Sequence, residues 1–208
     1  MKKLCKKFIA FTSLSLALFI QSASAQAPLY KIEVIAFESL ALNGWTQEYW
    51  PELVETPNTS NTTSVFNYKQ RPLWINKANK NLDSEANALN KKGYRVLFHK
   101  AWTQFAYANK KGHQVLVEGS NPYGSSMLGT VRLYKTRFAH VDLNLEFSRL
   151  IPTKVKEKFA LSQNTNLDTL PPSWQFSLQE SRKIRPNELH YIDHPLFGVL
   201  VKVTPIKQ

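Results

Sequence analysis

The sequence predicts a single α+β domain dominated by an antiparallel β-sheet, with one principal helix around residues 77–92. Three observations support this class. Several short segments alternate apolar and polar residues, which is the period of a β-strand, and only one segment has the apolar spacing of a helix. No internal repeat or charge block marks a domain boundary in the 208 residues, of which 43% are hydrophobic. This length and composition suit one packed domain.

The first 25 residues have the pattern of a secretory signal peptide. Four lysines precede an apolar stretch of 13 residues, Phe8–Ile20, and Ala23-Ser24-Ala25 supplies the small residues that signal peptidase requires. About 20 apolar residues are needed to cross a bilayer, so an uncleaved anchor is the less favoured interpretation. We expect cleavage after Ala25, a periplasmic location, and a mature domain over residues 26–208 that does not span the membrane.

Charge and cysteine content restrict the partners of the mature chain. Removal of the four lysines leaves 23 basic against 15 acidic residues, a net charge of +8. The one cysteine, Cys5, is removed as well, which excludes a disulfide framework and thiol catalysis. Nucleic acid is the common partner of a basic chain, but export separates the two, so we expect none. The expected polyanions are cell-wall peptides, lipid head groups and acidic glycans.

The predicted strands are recognised by their alternation. Every second residue from Tyr30 to Ala36 lies on one apolar face, and the same period recurs from Val141 to Phe147. The side opposite this later apolar face is polar and comprises His140, Asp142, Asn144 and Glu146. Strands are predicted at Tyr30–Phe37, Tyr94–Trp102, Gln114–Glu118, Gly129–Tyr134, Val141–Phe147, Trp174–Lys183, Glu188–Asp193 and Phe197–Thr204, the fourth and fifth being either two strands or one long bent strand.

One helix is predicted between residues 77 and 92. Leu82, Ala86 and Leu89 recur at helical spacing, and Gly93 suits the position after the last turn. Segments without an apolar period are predicted to form loops or turns, and the first of them is expected to be a mobile surface loop. These segments are Thr56–Ser64, Asn109–Gly112 and Gly119–Ser126. Residues 152–172 lack a clear period, and no element is assigned to them.

The sequence contains no motif for nucleotide binding or nucleophilic catalysis. It lacks a Gly-x-Ser-x-Gly elbow, a Gly-Lys-Ser/Thr phosphate loop and a Gly-x-Gly-x-x-Gly turn. His190 and His194 would share one face of a helix, where two such residues can bind zinc. On the predicted strand they lie about 13 Å apart, and zinc bonds near 2 Å cannot join them. We therefore expect no metal, no cofactor and no catalytic residue.

A compact basic group is the first candidate for binding an anionic glycan. Arg182, Lys183 and Arg185 lie within four residues of one another. An arginine can grip a carboxylate through two parallel hydrogen bonds. Such groups are also common on solvated faces, so the alternative interpretation is an ordinary surface cluster.

The tryptophans are candidates for stacking on sugar rings. Trp45 and Trp50 lie in a predicted loop beside Pro51 and are the two we assign to such stacking. Trp102 and Trp174 lie in predicted strands, where a large aromatic side chain is usually part of the core.

Hydrolysis of a glycan by two carboxylates stays open, because the members of such a pair can come from distant parts of a chain. No local signature selects a pair. The acidic residues available are Glu33, Glu48, Glu118, Asp142, Glu146, Glu180 and Glu188.

Five segments resemble the CsiV family of cell-shape-integrity proteins. The most specific is Leu178–Pro205, which contains the run Arg-Pro-Asn-Glu-Leu-His-Tyr-Ile-Asp-His-Pro-Leu-Phe-Gly. The resemblance covers most of the mature chain, except for the polar stretches 56–70 and 152–172. The other similar segments are Tyr30–Phe37, Trp50-Pro51, Tyr94–Trp102 and Gly129–Tyr134.

This resemblance implies a periplasmic, non-catalytic protein that binds peptidoglycan. It further implies support of a bifunctional penicillin-binding synthase through the outer-membrane lipoprotein that activates this enzyme. Peptidoglycan stem peptides carry free carboxylates, so a domain of net charge +8 is attracted to them. Two other classes stay open, an envelope glycan hydrolase and a general scaffold for outer-membrane assembly.

Overall fold

Two five-stranded β-sheets form the protein in the computed structural model, which describes residues 27–65, 72, 75–108 and 112–207. The predicted signal peptide and most of the predicted 109–112 turn lie outside these residues. The described elements are β1 (Leu29–Ser39), β2 (Thr62–Thr63), β3 (Ile75–Lys77), α1 (Asp83–Lys91), β4 (Tyr94–Phe105), β5 (Gln114–Ser120), β6 (Ser125–Lys135), β7 (Ala139–Leu150), α2 (Lys156–Ser162), β8 (Ser173–Ile184), β9 (Leu189–His194) and β10 (Phe197–Pro205).

The sheets are almost entirely antiparallel. The first sheet has the order β3-β4-β1-β10-β9, and the second has the order β2-β5-β6-β7-β8. Among the described strands, only the short pairing of β2 with β5 is parallel. The predicted α+β class with a dominant antiparallel sheet is confirmed, and the sheet is divided into two layers that share one core.

The core lies between the two inner faces. Val34 and Val201 from the first sheet belong to the same buried cluster as Leu143 from the second. Trp102 and Trp174 are buried in this cluster, as predicted from their positions in strands. Alternation along each strand therefore sends one side to the shared core and leaves the other side as an outer face of the sandwich.

A buried carboxylate joins the sheets near one end of the sandwich. Glu38 of β1 is fully buried, and its Oε1 lies 2.8 Å from Arg95 Nη1 and accepts a 2.8 Å hydrogen bond from Asn121. Its Oε2 accepts a 2.7 Å bond from Ser125 and lies 3.3 Å from Arg149 Nε. Oε1 thus has partners from β4 and from the turn between β5 and β6, and Oε2 has partners from β6 and β7. A buried carboxylate is tolerated when both of its oxygens have such partners.

The helical content differs from the prediction at two places. Residues 75–77 form β3, so the helix begins at Asp83 rather than near residue 77. Ile75 is fully buried and pairs with Gln104 of β4, and Lys77 pairs with Trp102. This tertiary pairing outweighs the local helix propensity at residue 77. The segment 152–172, in which the sequence shows no clear period, contains α2, whose Phe159 and Ala160 are buried.

Two of the loop predictions also need correction. The loop Gly119–Ser126 is shorter than predicted, since β5 continues to Ser120 and β6 begins at Ser125. The segment Thr56–Ser64, predicted as a mobile surface loop, contains β2, which lies at the edge of the second sheet. Among the described residues, no helix has the length and apolar character needed to cross a membrane.

Candidate functional site

A polar groove runs across the outer face of the second sheet and has a volume of about 740 Å³. Two rows of paired residues form its floor. The first row places Gln114 of β5, Arg132 of β6, Asp142 of β7 and Ser181 of β8 side by side. The second row contains Thr130, Asn144 and Gln179. Asn58, Asn61, Gly112 and His113 also line the groove.

A hydrogen-bonded triplet fixes the first row. Arg132 Nε donates a 3.0 Å bond to Asp142 Oδ2, and Arg132 Nη2 donates to the same oxygen. Ser181 Oγ donates a 2.6 Å bond to Asp142 Oδ1. Both carboxylate oxygens of Asp142 therefore accept hydrogen bonds within the groove, and the charges of Asp142 and Arg132 offset each other locally.

The groove is rich in side-chain amides. Asn58, Asn61, Gln114, Asn144 and Gln179 all contribute to its lining. Each amide offers both donors and acceptors, so the set suits sugar hydroxyls, N-acetyl groups and peptide bonds better than it suits a simple ion. The Oδ1 atom of Asn144 is buried and has no hydrogen-bond partner among the described residues.

Aromatic and basic side chains lie at one end of the groove, next to the β6–β7 turn. Tyr134 and His140 stack with ring centroids 5.0 Å apart and planes at 8°. Tyr134 Oη lies 3.4 Å from Ser181 Oγ, which connects this end to the first row. Lys183 follows in register with His140, and its Nζ lies 3.5 Å from the centroid of the Phe138 ring. Phe138 is 43% exposed, so an apolar ring and a cation are presented together.

The predicted basic group does not form one surface. Lys183 lies on the outer face with the groove, whereas Arg182 points to the opposite side of β8, because successive residues of a strand alternate. Arg182 Nη2 pairs with Glu180 Oε1 at 3.1 Å. Arg185 lies beyond the end of β8, with its Nη1 3.8 Å from Glu188 Oε1. Lys183 alone of the three adjoins the groove.

The assignment of Trp45 and Trp50 to sugar stacking is wrong for this structure. Trp45 is fully buried and Trp50 is 7% exposed, so neither ring presents a face to a glycan. Both rings meet Phe176 edge to face, at 5.4 and 5.3 Å, and Trp45 meets Phe159 in the same way at 5.1 Å. Burial of these large rings outweighs the loop-like character of their local sequence.

The two histidines of the C-terminal motif lie on β9, in agreement with the predicted strand. The Nε2 atom of His190 accepts a 3.1 Å hydrogen bond from the backbone of Arg185. The ring of His194 packs on Phe197 at 4.1 Å and on Trp50 at 5.2 Å. The side chains thus have separate neighbours, and no group of three or more potential metal ligands occurs among the described residues.

A second cluster of titratable groups lies on the outer face of the first sheet, where it holds α1. Glu33 is 2% exposed and accepts hydrogen bonds from the backbone N–H groups of Asn81 and Leu82, at 2.7 and 2.9 Å. His99 Nε2 lies 2.7 Å from Glu33 Oε1, and His99 Nδ1 lies 3.4 Å from Asp83 Oδ1. Burial opposes ionisation of Glu33, but these hydrogen bonds favour it more strongly and lower the pKa of its carboxyl group.

This cluster has a structural role that its contacts explain. α1 has no side-chain cap of its own, and the Glu33 carboxylate from β1 takes that place at the positive end of the helix. Among the described residues, the hydrogen bonds and ion pairs of Glu33 and His99 include no Ser, Thr or Cys side chain that could act as a nucleophile. The polar groove is therefore the stronger candidate for ligand binding.

The fold and groove define a β-sandwich protein with a surface groove that is lined by amides and one internal ion pair and has a cationic, aromatic end. The family model described as "Peptidoglycan-binding protein, CsiV" matches residues 9–206, and the chain belongs to this family. No curated protein and no solved structure matches the chain.

Proposed function

We propose that the polar groove is the peptidoglycan-binding site. The observation that carries this proposal is the register of the second sheet, which places Arg132, Asp142, Asn144, Gln179 and Ser181 on one open face. Disaccharide repeats and stem peptides offer hydroxyl, acetamido, amide and carboxylate groups along an extended chain. A long groove of amides with a cation at one end is complementary to such a chain.

Lys183 gives the groove its electrostatic preference. Because Arg132 is paired with Asp142, the cation at the aromatic end is left to meet a ligand carboxylate. Long-range attraction by the basic domain adds to this contact, and its range falls from about 30 Å at 0.01 M salt to about 8 Å at 0.15 M. Sacculus binding is expected to weaken as salt rises and to do so less steeply in Lys183→Gln. Binding that does not respond to salt would contradict the electrostatic part of the proposal.

A matched pair of variants tests the groove itself. Gln179→Leu removes an amide from the second row, and Gln175→Leu makes the same change on the same face of β8 outside the groove. Each lost hydrogen bond is worth about 1 kcal/mol, so Gln179→Leu combined with Asn144→Leu should weaken pull-down by purified sacculi about thirtyfold. Gln175→Leu should bind as the unmodified protein does. Equal binding by the two types of variant would remove the groove from consideration.

We propose a non-catalytic role. Asp142, the best-placed carboxylate in the groove, is held by Arg132 and Ser181, which supports binding rather than proton transfer. Incubation with purified sacculi separates the alternatives. Soluble muropeptide fragments would identify a hydrolase, sedimentation of intact protein with sacculi identifies a binding protein, and neither result would favour a scaffold.

Finer aspects of the role follow from the resemblance. We propose that the protein is exported, that signal peptidase cleaves after Ala25, and that the mature protein acts in the periplasm. Intact-mass measurement of the exported protein tests the cleavage site, and retention of residues 1–25 or a lipid adduct would contradict it. We also propose that the protein supports a bifunctional penicillin-binding synthase through its outer-membrane lipoprotein activator. Glycan synthesis by the purified synthase and activator, with and without this protein, tests that step.

A further inference from the structure

A second, smaller recess opens on the outer face of the first sheet and is here called the aromatic pocket. It has a volume of about 260 Å³ and is lined in part by Phe37, Tyr94, Tyr191, Asp193 and His194. Phe37 comes from β1, Tyr94 from β4 and the other three from β9. These residues belong to three of the segments that carry the family resemblance, and the polar groove uses none of them.

A glycine allows the aromatic rings to occupy this place. Gly198 of β10 pairs with Phe37 on one side and with Asp193 on the other. A Cβ atom at Gly198 would lie 2.7 Å from both Phe37 Cζ and Tyr191 Cε2, which is too close for unmoved rings. The missing side chain therefore lets the two rings lie over the backbone of β10.

The rings form a platform that is open to solvent. Phe37 and Tyr191 stack at 6.2 Å with planes at 15°, and Tyr94 meets Phe37 edge to face at 5.2 Å. Phe37 is buried, whereas Tyr191 is 48% exposed. The π face of an exposed tyrosine attracts cations, and the attraction is stronger where part of the surroundings is apolar.

The charge of the aromatic pocket is opposite to that of the whole chain. Asp193 is exposed and accepts a hydrogen bond from Tyr191 Oη through one carboxylate oxygen. Burial lowers the pKa of His194 to about 4, although Asp193 acts in the other direction, so His194 is neutral at pH 7. Burial, and then the bond to Asp193, raises the pKa of Tyr191, which keeps the phenol neutral. A single carboxylate thus sets the local charge within a chain of net charge +12.

We propose that the aromatic pocket binds a primary ammonium group, with Asp193 as the ion-pair partner and the rings of Tyr191 and Tyr94 as the cation–π surface. The inferred source is the free amino group of a diamino acid in an uncrosslinked stem peptide, so the inference rests on the proposed peptidoglycan-binding function. The two recesses lie on opposite outer faces, since one belongs to each sheet. Stem-peptide ammonium groups and glycan strands would then be recognised at separate places.

Titration with Nα-acetyl-lysine methylamide, followed by NMR, tests the chemistry. The ε-methylene protons of the probe should shift upfield saturably, because they lie against aromatic rings, and the Nε-acetylated probe should show no such shift. Asp193→Asn should weaken binding about fivefold, while Tyr191→Phe, which keeps the ring and loses only the hydroxyl, should retain it. Circular dichroism of both variants verifies that they are folded. Absence of saturable binding, or equal binding of the acetylated probe, would overturn the inference.

Sacculi with chemically acetylated amino groups test the source of the ammonium group. Pull-down by these sacculi should fall several-fold relative to untreated sacculi, and Asp193→Asn should reduce pull-down by untreated sacculi only. If the lysine probe binds but acetylation of sacculi has no effect, the ammonium group belongs to another partner, such as a protein lysine, and the stem-peptide inference is wrong. Binding of untreated sacculi that depends on Gln179 and Asn144 would leave the groove proposal intact in that case. Failure of the unmodified protein to bind sacculi at all would instead contradict the proposed function.

Discussion

The outer faces of the two sheets are built on the same alternation of strand residues but are used differently. On the first sheet, Ile35 and Phe37 lie in a small apolar cluster with Leu82, which directly precedes α1, and Ala86 and Leu89 of α1 pack against it. The helix therefore covers part of that face. On the second sheet, the corresponding rows contain Thr130, Asn144 and their polar neighbours, and they stay open as the groove. The difference teaches that side-chain polarity on the outer side of each strand decides whether a face is covered or left for a ligand.

The two faces also place carboxylates in opposite situations. Glu33 on the first sheet is buried under the start of α1 and holds it through two backbone N–H groups. Asp142 on the second sheet is about one fifth exposed and contacts side chains of its own sheet. Loss of the first carboxylate therefore leaves buried donors without a partner, whereas water can replace the second.

The largest expected effect compares these two carboxylates directly. Glu33→Ala should lower the free energy of unfolding by about 3 kcal/mol, because it leaves His99 and the backbone of Asn81 and Leu82 without their acceptor. Asp142→Ala should cost about 1 kcal/mol or less, since its pair with Arg132 is partly hydrated. Urea unfolding measures both. Glu33→Gln keeps an acceptor oxygen and should lie between them, and equal losses for the two alanine variants would contradict the comparison.

The second largest effect is a loss of stability in acid, caused by protonation of His194 on β9 of the first sheet. The folded pKa of His194 is about 4, below an unfolded value of about 6.5, so the fold favours the neutral ring. Its contribution to stability is complete above pH 6.5 and is lost as the pH falls toward 4, by about 2 kcal/mol once partial exposure is allowed for. Glu33, whose pKa is lowered, adds a loss at still lower pH as its carboxylate is protonated.

Stability curves against pH check this expectation. In His194→Phe, which retains an aromatic ring between Trp50 and Phe197, the slope between pH 6.5 and 4 should be reduced, while the loss at lower pH should persist. An unchanged slope in that variant would assign the acid sensitivity to other groups.

A smaller effect is expected from a methyl group added to the first face. Gly198→Ala should destabilise the fold by about 1 kcal/mol, because the new Cβ displaces Tyr191 or presses on the buried ring of Phe37. The same variant should lose the stacking of the aromatic pocket and bind the lysine probe more weakly. Ser177→Ala on the exposed outer face of the second sheet is the control, with a change within about 0.5 kcal/mol by thermal unfolding.

The smallest effect is expected inside the groove. Asn144→Leu should change stability by less than about 0.5 kcal/mol, since the buried Oδ1 that it removes has no partner among the described residues. Thermal unfolding measures this change, and a large loss would mean that Asn144 supports the sheet rather than a ligand. If Asn144 serves a ligand, Asn144→Leu should leave stability nearly unchanged and weaken binding to sacculi.

Strand positions could be predicted because each strand has its own alternating pattern. Both sides of β7 are evident from the sequence: Val141, Leu143 and Leu145 are buried, and Asp142 and Asn144 face the groove. The same period indicates the outward positions of β8. The outward residues that form the floor of the groove can therefore be predicted strand by strand. That they form one groove becomes evident only from the register between neighbouring strands.

Other features depend on contacts between distant segments and leave no local pattern. Trp45 and Trp50 are buried because Phe159 and Phe176, more than a hundred positions later in the chain, pack against them. Helix α2 has seven residues, too few for a clear apolar period. The capping of α1 by Glu33 crosses 48 positions of sequence. Local propensity cannot identify contacts of this kind.

The pairing of β1 with β10 has a consequence for the time course of folding. The first described strand lies in the middle of the first sheet, between β4 and β10, and pairs from Tyr30–Pro205 to Glu38–Phe197. The sheet is therefore incomplete until the C-terminal segment is available. Topologies dominated by such distant pairings fold slowly, on a scale of roughly milliseconds to seconds. During synthesis, β1 therefore waits for almost the whole chain before its pairing partner β10 exists, and the two sheets can close on their shared core only after that point.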